Sequence, residues 1–469
     1  MKRSIIVIAA TAIGVALCPA VALTILAGAV SAAATTTAIT LSPAAGPPTT
    51  AATVKGTRFG PGETVNVDFD TARAGTAVTS AAGSFSTVVR VPAAPLPGRH
   101  TVTATGQASN LSAAAFFWVR TNWARFHRGD TNSGYNPYEN VLSPASVAGL
   151  TKTWSYPTGA AISFSSPAVV NGVVYVSSTD YSVYALDAAT GAKLWNYPTG
   201  AEDFSPPAVV NGVVYVGSDD GNVYALDATT GTKRWNYPTG SAVYGSPTVA
   251  NGVVYVGSLD NNVYALDATT GTKLWNYPTG GFVLSSPAAV NGVVYVGSYD
   301  GNVYALDATT GTKLWNYLTG GEVASSPAVV NGVVYVSSKD HHLYALDAAT
   351  GAKRWRYTTG AGIEASSPAV ANRVVYVGSG NGNVYARKAA TGVKLWSYHT
   401  GSHVYASPAV ANGVVYVGSD DGNIYALDAA TGTKLWSYLT GSSIDSSPAV
   451  ANGKVYVGSD DGKVYAFRL

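Results

Sequence analysis

Beyond residue 160 the chain alternates short apolar runs with short polar turns, in a block that returns about every forty residues. The first complete block extends from Ser165 to Gly200. Its apolar runs are separated by Asn171-Gly172, by a polar turn, and by an Asp-Ala-Ala-Thr-Gly sequence that ends at Gly191. Asn-Gly pairs and turns rich in Gly and Asp join antiparallel strands. Each block therefore predicts four short strands in one antiparallel meander.

One tryptophan marks each repeat of the block. Five of the seven intervals between these tryptophans are 40 residues long and two are 41. A single four-stranded sheet cannot bury both of its apolar faces, but sheets stacked around a ring can. We therefore predict that each tryptophan docks one sheet onto the next and is buried there rather than stacking on a ligand. The predicted docking residues are Trp154, Trp195, Trp235, Trp275, Trp315, Trp355, Trp396 and Trp436.

The number of strands indicates a closed ring of eight sheets. The strand that begins with proline occurs eight times, first at Pro167 and last at Pro448. The final block ends at Leu469 without a tryptophan strand, whereas a spare tryptophan strand, residues 151–156, precedes the first block. Pairing these two strands would leave no open edge. The sequence thus predicts an all-β fold: over residues 151–469, an eight-bladed β-propeller of four-stranded antiparallel blades, closed by the N-terminal strand.

The repeat resembles that of a known family. The segment from Ala185 to Trp195, with the order A-x-D-x-x-T-G-x-x-x-W, is similar to the tryptophan-docking repeat of pyrroloquinoline-quinone (PQQ)-like propellers. Residues 120–150, which we term the lead-in segment, resemble the start of such propellers through Trp123, Phe126 and Asn136. The family includes quinoprotein alcohol dehydrogenases and outer-membrane-protein assembly lipoproteins. The resemblance implies the fold but not the function, because one fold can host unrelated tasks.

Residues 36–119 do not follow the forty-residue repeat, and their sequence pattern predicts a small immunoglobulin-like β-sandwich. Alternating strands, such as residues 65–69, are bounded by Gly and Pro turns. The turn from Gly60 to Glu63 and the strand after Pro97-Gly98 resemble those of bacterial immunoglobulin-like modules of secreted proteins. That resemblance implies spacing or adhesion rather than catalysis.

Residues 1–34 have the pattern of an export signal. Lys2 and Arg3 precede an uncharged apolar run from Ile5 to Val30, and small residues follow at Ser31 and Ala32. This order is typical of a secretory signal peptide, although the run is long enough to serve instead as an uncleaved signal anchor. We therefore expect a secreted or cell-surface protein, in contact with a membrane only if the anchor is retained.

Charge and cysteine content narrow the possible functions. The chain has 28 basic and 26 acidic residues, and removing Lys2 and Arg3 leaves 26 of each. A nearly neutral protein lacks the basic surface that nucleic-acid binding requires, so we expect no nucleic-acid partner. The one cysteine, Cys18, lies in the leader, so the rest of the chain can form neither a disulfide nor a thiolate metal site.

Comparison of the repeats with one another locates a candidate binding surface. The turns on one face of the predicted ring are nearly uniform, whereas the residues before each repeated proline vary. The predicted binding face consists of Phe164, Glu202, Asp203, Phe204, Tyr244, Leu284, Glu322, Glu364, His403, Tyr405 and Asp445. They would form an aromatic and mildly acidic ring around the mouth of the channel. Drift of unconstrained loop residues is the alternative explanation of the same variation.

Two functions follow from these observations. The first is an exported, non-catalytic propeller that binds or scaffolds a protein, peptide or glycan partner, and this function needs no cofactor, metal or catalytic residue. The second, implied by the family resemblance, is a PQQ-dependent quinoprotein dehydrogenase with a calcium–PQQ site at the channel mouth. Such enzymes carry a catalytic aspartate, calcium ligands and usually a vicinal cysteine pair, and this chain has no cysteine pair. Its regular repeats also leave little room for the insertions that build such a pocket.

Overall fold

The computed structural model describes residues 36–362 and 365–469, which form a β-sandwich followed by a β-propeller. The predicted signal peptide or anchor, and Glu364 of the predicted binding face, lie outside the described residues. Within the described ranges, no helix is long and apolar enough to cross a membrane.

The N-terminal sandwich packs a three-stranded sheet, in the order β1-β3-β6, on a five-stranded sheet, in the order β2-β8-β7-β4-β5. Its strands are β1 Ala38–Ser42, β2 Ala45–Gly46, β3 Ala51–Thr57, β4 Thr64–Phe69, β5 Ala72–Val78, β6 Phe85–Arg90, β7 Gly98–Gly106 and β8 Ser112–Val119. Alternate residues such as Val65, Val67 and Phe69 are buried, because successive side chains of a strand point to opposite faces. Glu63 fixes the adjoining turn by accepting hydrogen bonds from Gly60 N and from the backbone and hydroxyl of Ser109.

The lead-in segment contains strand β9, Tyr135–Asn136, and a short 3₁₀ helix, Val147–Gly149. It ends at β10, Thr151–Pro157. Blades 1 to 4 then consist of β11–β14 (Ala168–Val170, Val173–Ser178, Ser182–Asp187, Lys193–Pro198), β15–β18 (Ala208–Val210, Val213–Gly217, Asn222–Asp227, Lys233–Pro238), β19–β22 (Thr248–Ala250, Val253–Gly257, Asn262–Asp267, Lys273–Pro278) and β23–β26 (Ala288–Val290, Val293–Gly297, Asn302–Asp307, Lys313–Leu318). Blades 5 to 8 consist of β27–β30 (Ala328–Val330, Val333–Ser338, His342–Asp347, Lys353–Thr358), β31–β34 (Ala369–Ala371, Val374–Gly378, Asn383–Lys388, Lys394–His399), β35–β38 (Ala409–Ala411, Val414–Gly418, Asn423–Asp428, Lys434–Leu439) and β39–β41 (Ala449–Ala451, Lys454–Ser459, Lys463–Arg468) with β10.

Local turn chemistry explains why each block folds as one blade. Asn171 and Gly172 both adopt positive φ, 53° and 84°, as the tight turn between β11 and β12 requires. After β13, Asp187 Oδ1 accepts hydrogen bonds from the backbone N–H and the hydroxyl of Thr190, which closes the next turn. These turns recur in most blades, so the meander is set by local sequence in each.

The ring closes as predicted. Strand β10 pairs antiparallel with β41, with Thr151 opposite Arg468 and Pro157 opposite Lys463. The eighth blade therefore has the order β10-β41-β40-β39, and each of the eight blades contains a four-stranded antiparallel meander. The prediction of an eight-bladed propeller closed by the N-terminal strand is confirmed.

The tryptophans join neighbouring blades. Trp195 Nε1 donates a hydrogen bond of 3.1 Å to the carbonyl of Ala228 in the next blade. Its ring lies on Gly231, where a Cβ would come within 2.7 Å of it, so glycine is required at this contact. The same donation joins the remaining pairs: Trp154 to Ala188, Trp235 to Ala268, Trp275 to Ala308, Trp315 to Ala348, Trp355 to Ala389, Trp396 to Ala429 and Trp436 to Leu150.

Candidate functional site

The lead-in segment fills the centre of the ring. Its residues hydrogen-bond the innermost strand of every blade: Trp123 bonds Val169, Ala124 bonds Val209, Arg125 bonds Val249, Asp130 bonds Ala289, Thr131 bonds Val329, Ser133 bonds Val370, Gly134 bonds Val410 and Asn136 bonds Val450. Arg125 and Asn136 use their side chains, and the other six use backbone groups. The inner strands leave backbone groups facing the axis, and buried backbone groups need partners. The segment therefore closes the channel.

A cavity of about 410 Å³ lies at one end of the closed channel, and Phe126 of the lead-in segment lines it. One residue of each blade, three positions before the repeated proline, also lines it. These eight residues are Phe164, Phe204, Tyr244, Leu284, Ala324, Ala365, Tyr405 and Asp445. We call this space the mouth cavity. The structure thus brings together six residues of the predicted binding face, although they are spread over 282 positions of sequence, from 164 to 445.

A chain of serine residues fixes the wall of the mouth cavity. The backbone N–H of Ser286 donates to the Ser326 hydroxyl oxygen at 2.9 Å, and Ser326 N–H donates to Ser367 in the same way. The full chain runs from Ser246 through Ser286, Ser326, Ser367, Ser407 and Ser447 to Ser166. Blade 2 interrupts it with Pro206. The repeated Ser-Pro sequence therefore links adjacent blades, and the variable residue two positions earlier stands on a rigid rim.

Aromatic side chains contact one another on the side of the rim formed by blades 2 and 3. The rings of Phe204 and Tyr244 meet edge to face, with centroids 5.3 Å apart. The Tyr244 hydroxyl donates a hydrogen bond of 3.2 Å to Asp219 Oδ2. On the opposite side of the mouth, His403 stacks on Tyr405 at 5.3 Å. Phe164 is 43% exposed, which is uncommon for a phenylalanine.

The predicted acidic residues occupy different depths. Glu202 is exposed beside Asp219, and Glu322 forms an ion pair of 2.6 Å with Lys339. Asp203 differs from the prediction, because it is fully buried beneath the rim instead of lying on the binding face. Thr199 donates a hydrogen bond of 2.6 Å to its Oδ2, whereas its Oδ1 has no partner within the described residues. Burial raises the pKa of Asp203 to about 7, and the nearby Asp220 and Asp219 carboxylates add to this effect.

Three further carboxylates lie at the mouth. They are Asp219, Asp420 and Asp460, each the first acid of a Ser-Asp-Asp turn. The second acid of each turn is structural: Asp220, for example, accepts hydrogen bonds from the Tyr224 hydroxyl and Gly200 N. The second position is Asp in seven blades and Asn381 in the other, whereas the first varies. A turn position that varies from blade to blade is not needed for the turn itself, so this variation indicates that the first acid is a surface residue.

Burial and the Asp420 carboxylate raise the pKa of Asp445, which lines the mouth cavity. Burial, with Asp420 and Asp461 nearby, also raises the pKa of Asp460, although a hydrogen bond of 2.7 Å from Ser163 opposes the change. Burial and the neighbouring Glu202 and Asp220 raise the pKa of Asp219 to about 6. The mouth is therefore crowded with carboxylates.

The mouth does not fit a calcium–PQQ site. PQQ carries several carboxylates and needs cationic partners. Among the described residues that line the cavity, Lys339 is the one lysine or arginine, and Glu322 already binds it. Among the described residues, no group of three His, Cys, Asp or Glu side chains is arranged to hold a metal ion.

Comparisons with known proteins agree on the class of fold. Residues 288–469 match the β-propeller of beta-alanine-activating enzyme, and residues 199–290 match outer membrane protein assembly factor BamB. Residues 123–205 match the β-propeller domain of glucose/ethanol/alcohol dehydrogenases, and residues 34–119 match a macroglobulin-like domain. A search of curated protein sequences finds no significant match. The chain carries a PQQ-like β-propeller preceded by an immunoglobulin-like, macroglobulin-like module.

Solved structures with this fold have different functions. A europium-containing methanol dehydrogenase is 18% identical, with a TM-score of 0.66 over 74% of this chain and 98% of that one. BamB from Moraxella catarrhalis is 22% identical, with a TM-score of 0.60 over 68% and 100%. The computationally designed Ika8 protein is 21% identical, with a TM-score of 0.62 over 68% and 99%. At these identities the likeness shows the fold alone.

Proposed function

We propose that this protein is an exported, non-catalytic propeller that binds a protein, peptide or glycan partner at the mouth cavity. The observation that carries the proposal is the convergence of eight variable residues on one cavity, while the turns of the opposite face repeat with little change. Drift alone would not concentrate aromatic residues at a concave surface. A cavity of about 410 Å³ lies within the usual size range of ligand sites.

The geometry of the mouth supports recognition rather than catalysis. Its floor is the lead-in segment, and its rim is held by the serine chain, so the cavity is preformed. Preformed aromatic surfaces bind with a small loss of conformational entropy. The quinoprotein alternative is not favoured, because the lining residues do not fit PQQ with calcium.

The immunoglobulin-like module would act as a spacer between the propeller and the export signal. Residues 1–34 have the order of a signal peptide or anchor, and one matching family is named as an outer membrane protein assembly factor. Asn140 of the lead-in segment donates a hydrogen bond of 2.8 Å to Pro95 of the module, so the two domains are in contact. A module in this position would hold the propeller away from the membrane if the anchor is retained.

The proposal is tested with the purified protein on peptide and glycan arrays. Phe204→Ala with Tyr244→Ala should abolish the strongest array signals without unfolding the protein. The matched control is Leu274→Ala with Leu314→Ala, since both leucines are 52% exposed on the outer strands of the blades. Signals that survive the mouth variant would place binding elsewhere. A quinone absorbance change with PQQ and calcium, together with dye reduction by alcohols or sugars, would overturn the proposal in favour of the dehydrogenase.

A further inference from the structure

The charge of the mouth is strongly one-sided. Among the described residues, six carboxylates lie on or beside its rim, and the basic side chains paired with them are Lys339, which binds Glu322, and His403, whose Nδ1 lies 3.4 Å from Asp420. The six are Glu202, Asp219, Glu322, Asp420, Asp445 and Asp460. The whole chain is nearly neutral, with 28 basic and 26 acidic residues, so this concentration of acids is a local property of the mouth.

Several of these carboxylates have one oxygen without a hydrogen-bond donor. Oδ1 of Asp219, Oδ1 of Asp420 and Oδ1 of Asp445 are buried, and none of them has a hydrogen-bond partner within residues 36–362 and 365–469. A buried acceptor without a donor is costly, and a charged acceptor is costlier still. The mouth therefore has a surplus of acceptors and of negative charge, which a ligand rich in N–H groups would satisfy.

The protein itself contains an example of such recognition. The Lys339 ammonium group lies 4.6 Å from the centre of the Tyr299 ring and 2.6 Å from a Glu322 oxygen. An aromatic face and a carboxylate thus hold one ammonium group at blades 4 and 5. Tyr244 and Asp219 offer the same pair of groups at blades 2 and 3, and no lysine or arginine of the described residues forms an ion pair with Asp219.

Building on the proposed function, we infer that the mouth cavity binds a peptide segment of a partner protein that carries lysine or arginine side chains. Cationic groups bind to aromatic faces and carboxylates together. One acidic group, Glu202 and Asp219, lies between blades 2 and 3. The other, Asp420 and Asp445, lies between blades 7 and 8. A peptide with two separated basic residues can pair with both acidic groups, whereas a single amine or a neutral sugar pairs with one at most. Like-charge repulsion disfavours anionic ligands.

Fluorescence anisotropy with labelled peptides of equal length tests this inference. The probes carry two lysines, two arginines, two glutamines or two glutamates in one glycine- and serine-rich sequence, and free arginine and a neutral oligosaccharide serve as competitors. The two basic peptides should bind, and their affinity should fall as salt is added, because salt screens surface charges. The glutamine and glutamate peptides should not bind.

Charge-neutralising variants locate the site. Asp219→Asn with Asp445→Asn keeps the shape of both side chains and should weaken binding of the basic peptides by about a hundredfold, or about tenfold for each charge-assisted hydrogen bond. Asp68→Asn with Asp70→Asn removes the same charge from the immunoglobulin-like module and should have no effect. Melting curves confirm that both variants fold.

The possible outcomes separate the inference from the proposed function. Equal binding of the glutamine peptide, preference for the oligosaccharide, failure of the basic peptides to bind at about 1 mM, or no effect of the Asp219 and Asp445 variant would each overturn the inference. The proposed function would still stand if Phe204→Ala with Tyr244→Ala abolished binding of another probe. It would fail if no bound probe responded to that variant.

Discussion

Replacing Asp203 by valine should stabilise the protein, and more at alkaline than at acidic pH. Other blades place an apolar residue at this buried position, such as Ile162, Val243 and Val283, all with no exposed surface. Asp203 is equally buried, and its Oδ1 has no partner among the described residues. A buried carboxylate without a full set of donors is destabilising when it is ionised. The substitution restores the residue type that the rest of the ring uses.

The size of the expected gain in stability follows from the pKa of Asp203. Burial raises the pKa of Asp203 from 3.8 to about 7, and each pKa unit corresponds to about 1.4 kcal/mol, so ionisation costs the folded state up to about 4 kcal/mol. The folded-state pKa lies above the unfolded value, so this cost is absent below about pH 4 and complete above about pH 7. Loss of the hydrogen bond from Thr199 offsets about 1 kcal/mol. We expect a gain of about 2–3 kcal/mol at pH 8.

Urea unfolding followed by tryptophan fluorescence at about pH 5 and pH 8 measures this gain. Asp203→Asn is the matched control, because it removes the charge and keeps the shape, and it should abolish the pH dependence with a smaller gain in stability. A gain that is equal at both pH values would show that the charge of Asp203 is not the cause. A loss of stability in the valine variant at pH 8 would refute the reasoning.

Three further predictions concern the ring itself. Arg387→Leu should raise the free energy of unfolding by about 2 kcal/mol in urea titrations, because Arg387 is 1% exposed and its Nε and Nη2 lack partners within the described residues. Trp195→Ala should lower that free energy by about 3 kcal/mol, since the contact with Ala228 and Gly231 is lost, and an unchanged urea midpoint would contradict the docking role. Removing residues 463–469 deletes β41, so β10 loses its partner, and size-exclusion chromatography should show aggregation from the exposed edges; a monodisperse, compact product would argue against closure by β10.

The repeated sequence was sufficient to predict the ring, because each block carries its own turns. Asn171-Gly172 and the Asp187 turn recur with the same spacing, so an error in one block is corrected by the others. The lead-in segment could not be predicted as the floor of the cavity, because it occurs once and its bonds go to residues far along the chain. Phe126 therefore gave no signal as a lining residue.

Position within a turn was also hard to predict. Asp203 was assigned to the surface because it precedes Phe204, but alternate residues of the connecting segment point in opposite directions. The apolar residues at the same point of other blades, such as Val243, indicate a buried position. Conversely, the Ser-Asp-Asp sequence indicates a tight turn without distinguishing Asp219 from Asp220, although it is Asp220 that accepts the hydrogen bonds from Gly200 N and the Tyr224 hydroxyl. Alignment of each turn position across blades distinguishes the two acids.

A single cysteine at the mouth gives the most direct test of the central claim, that the mouth cavity is the binding site. Leu284→Cys in a Cys18→Ala background places one thiol in the wall of the cavity, since Cys18 is the one cysteine of the chain. Thr229→Cys, on an exposed turn of the opposite face, is the control. With a binding partner found on the arrays, we predict that maleimide labelling slows at residue 284 and is unchanged at residue 229. Undiminished labelling at residue 284 in the saturated complex would contradict the account.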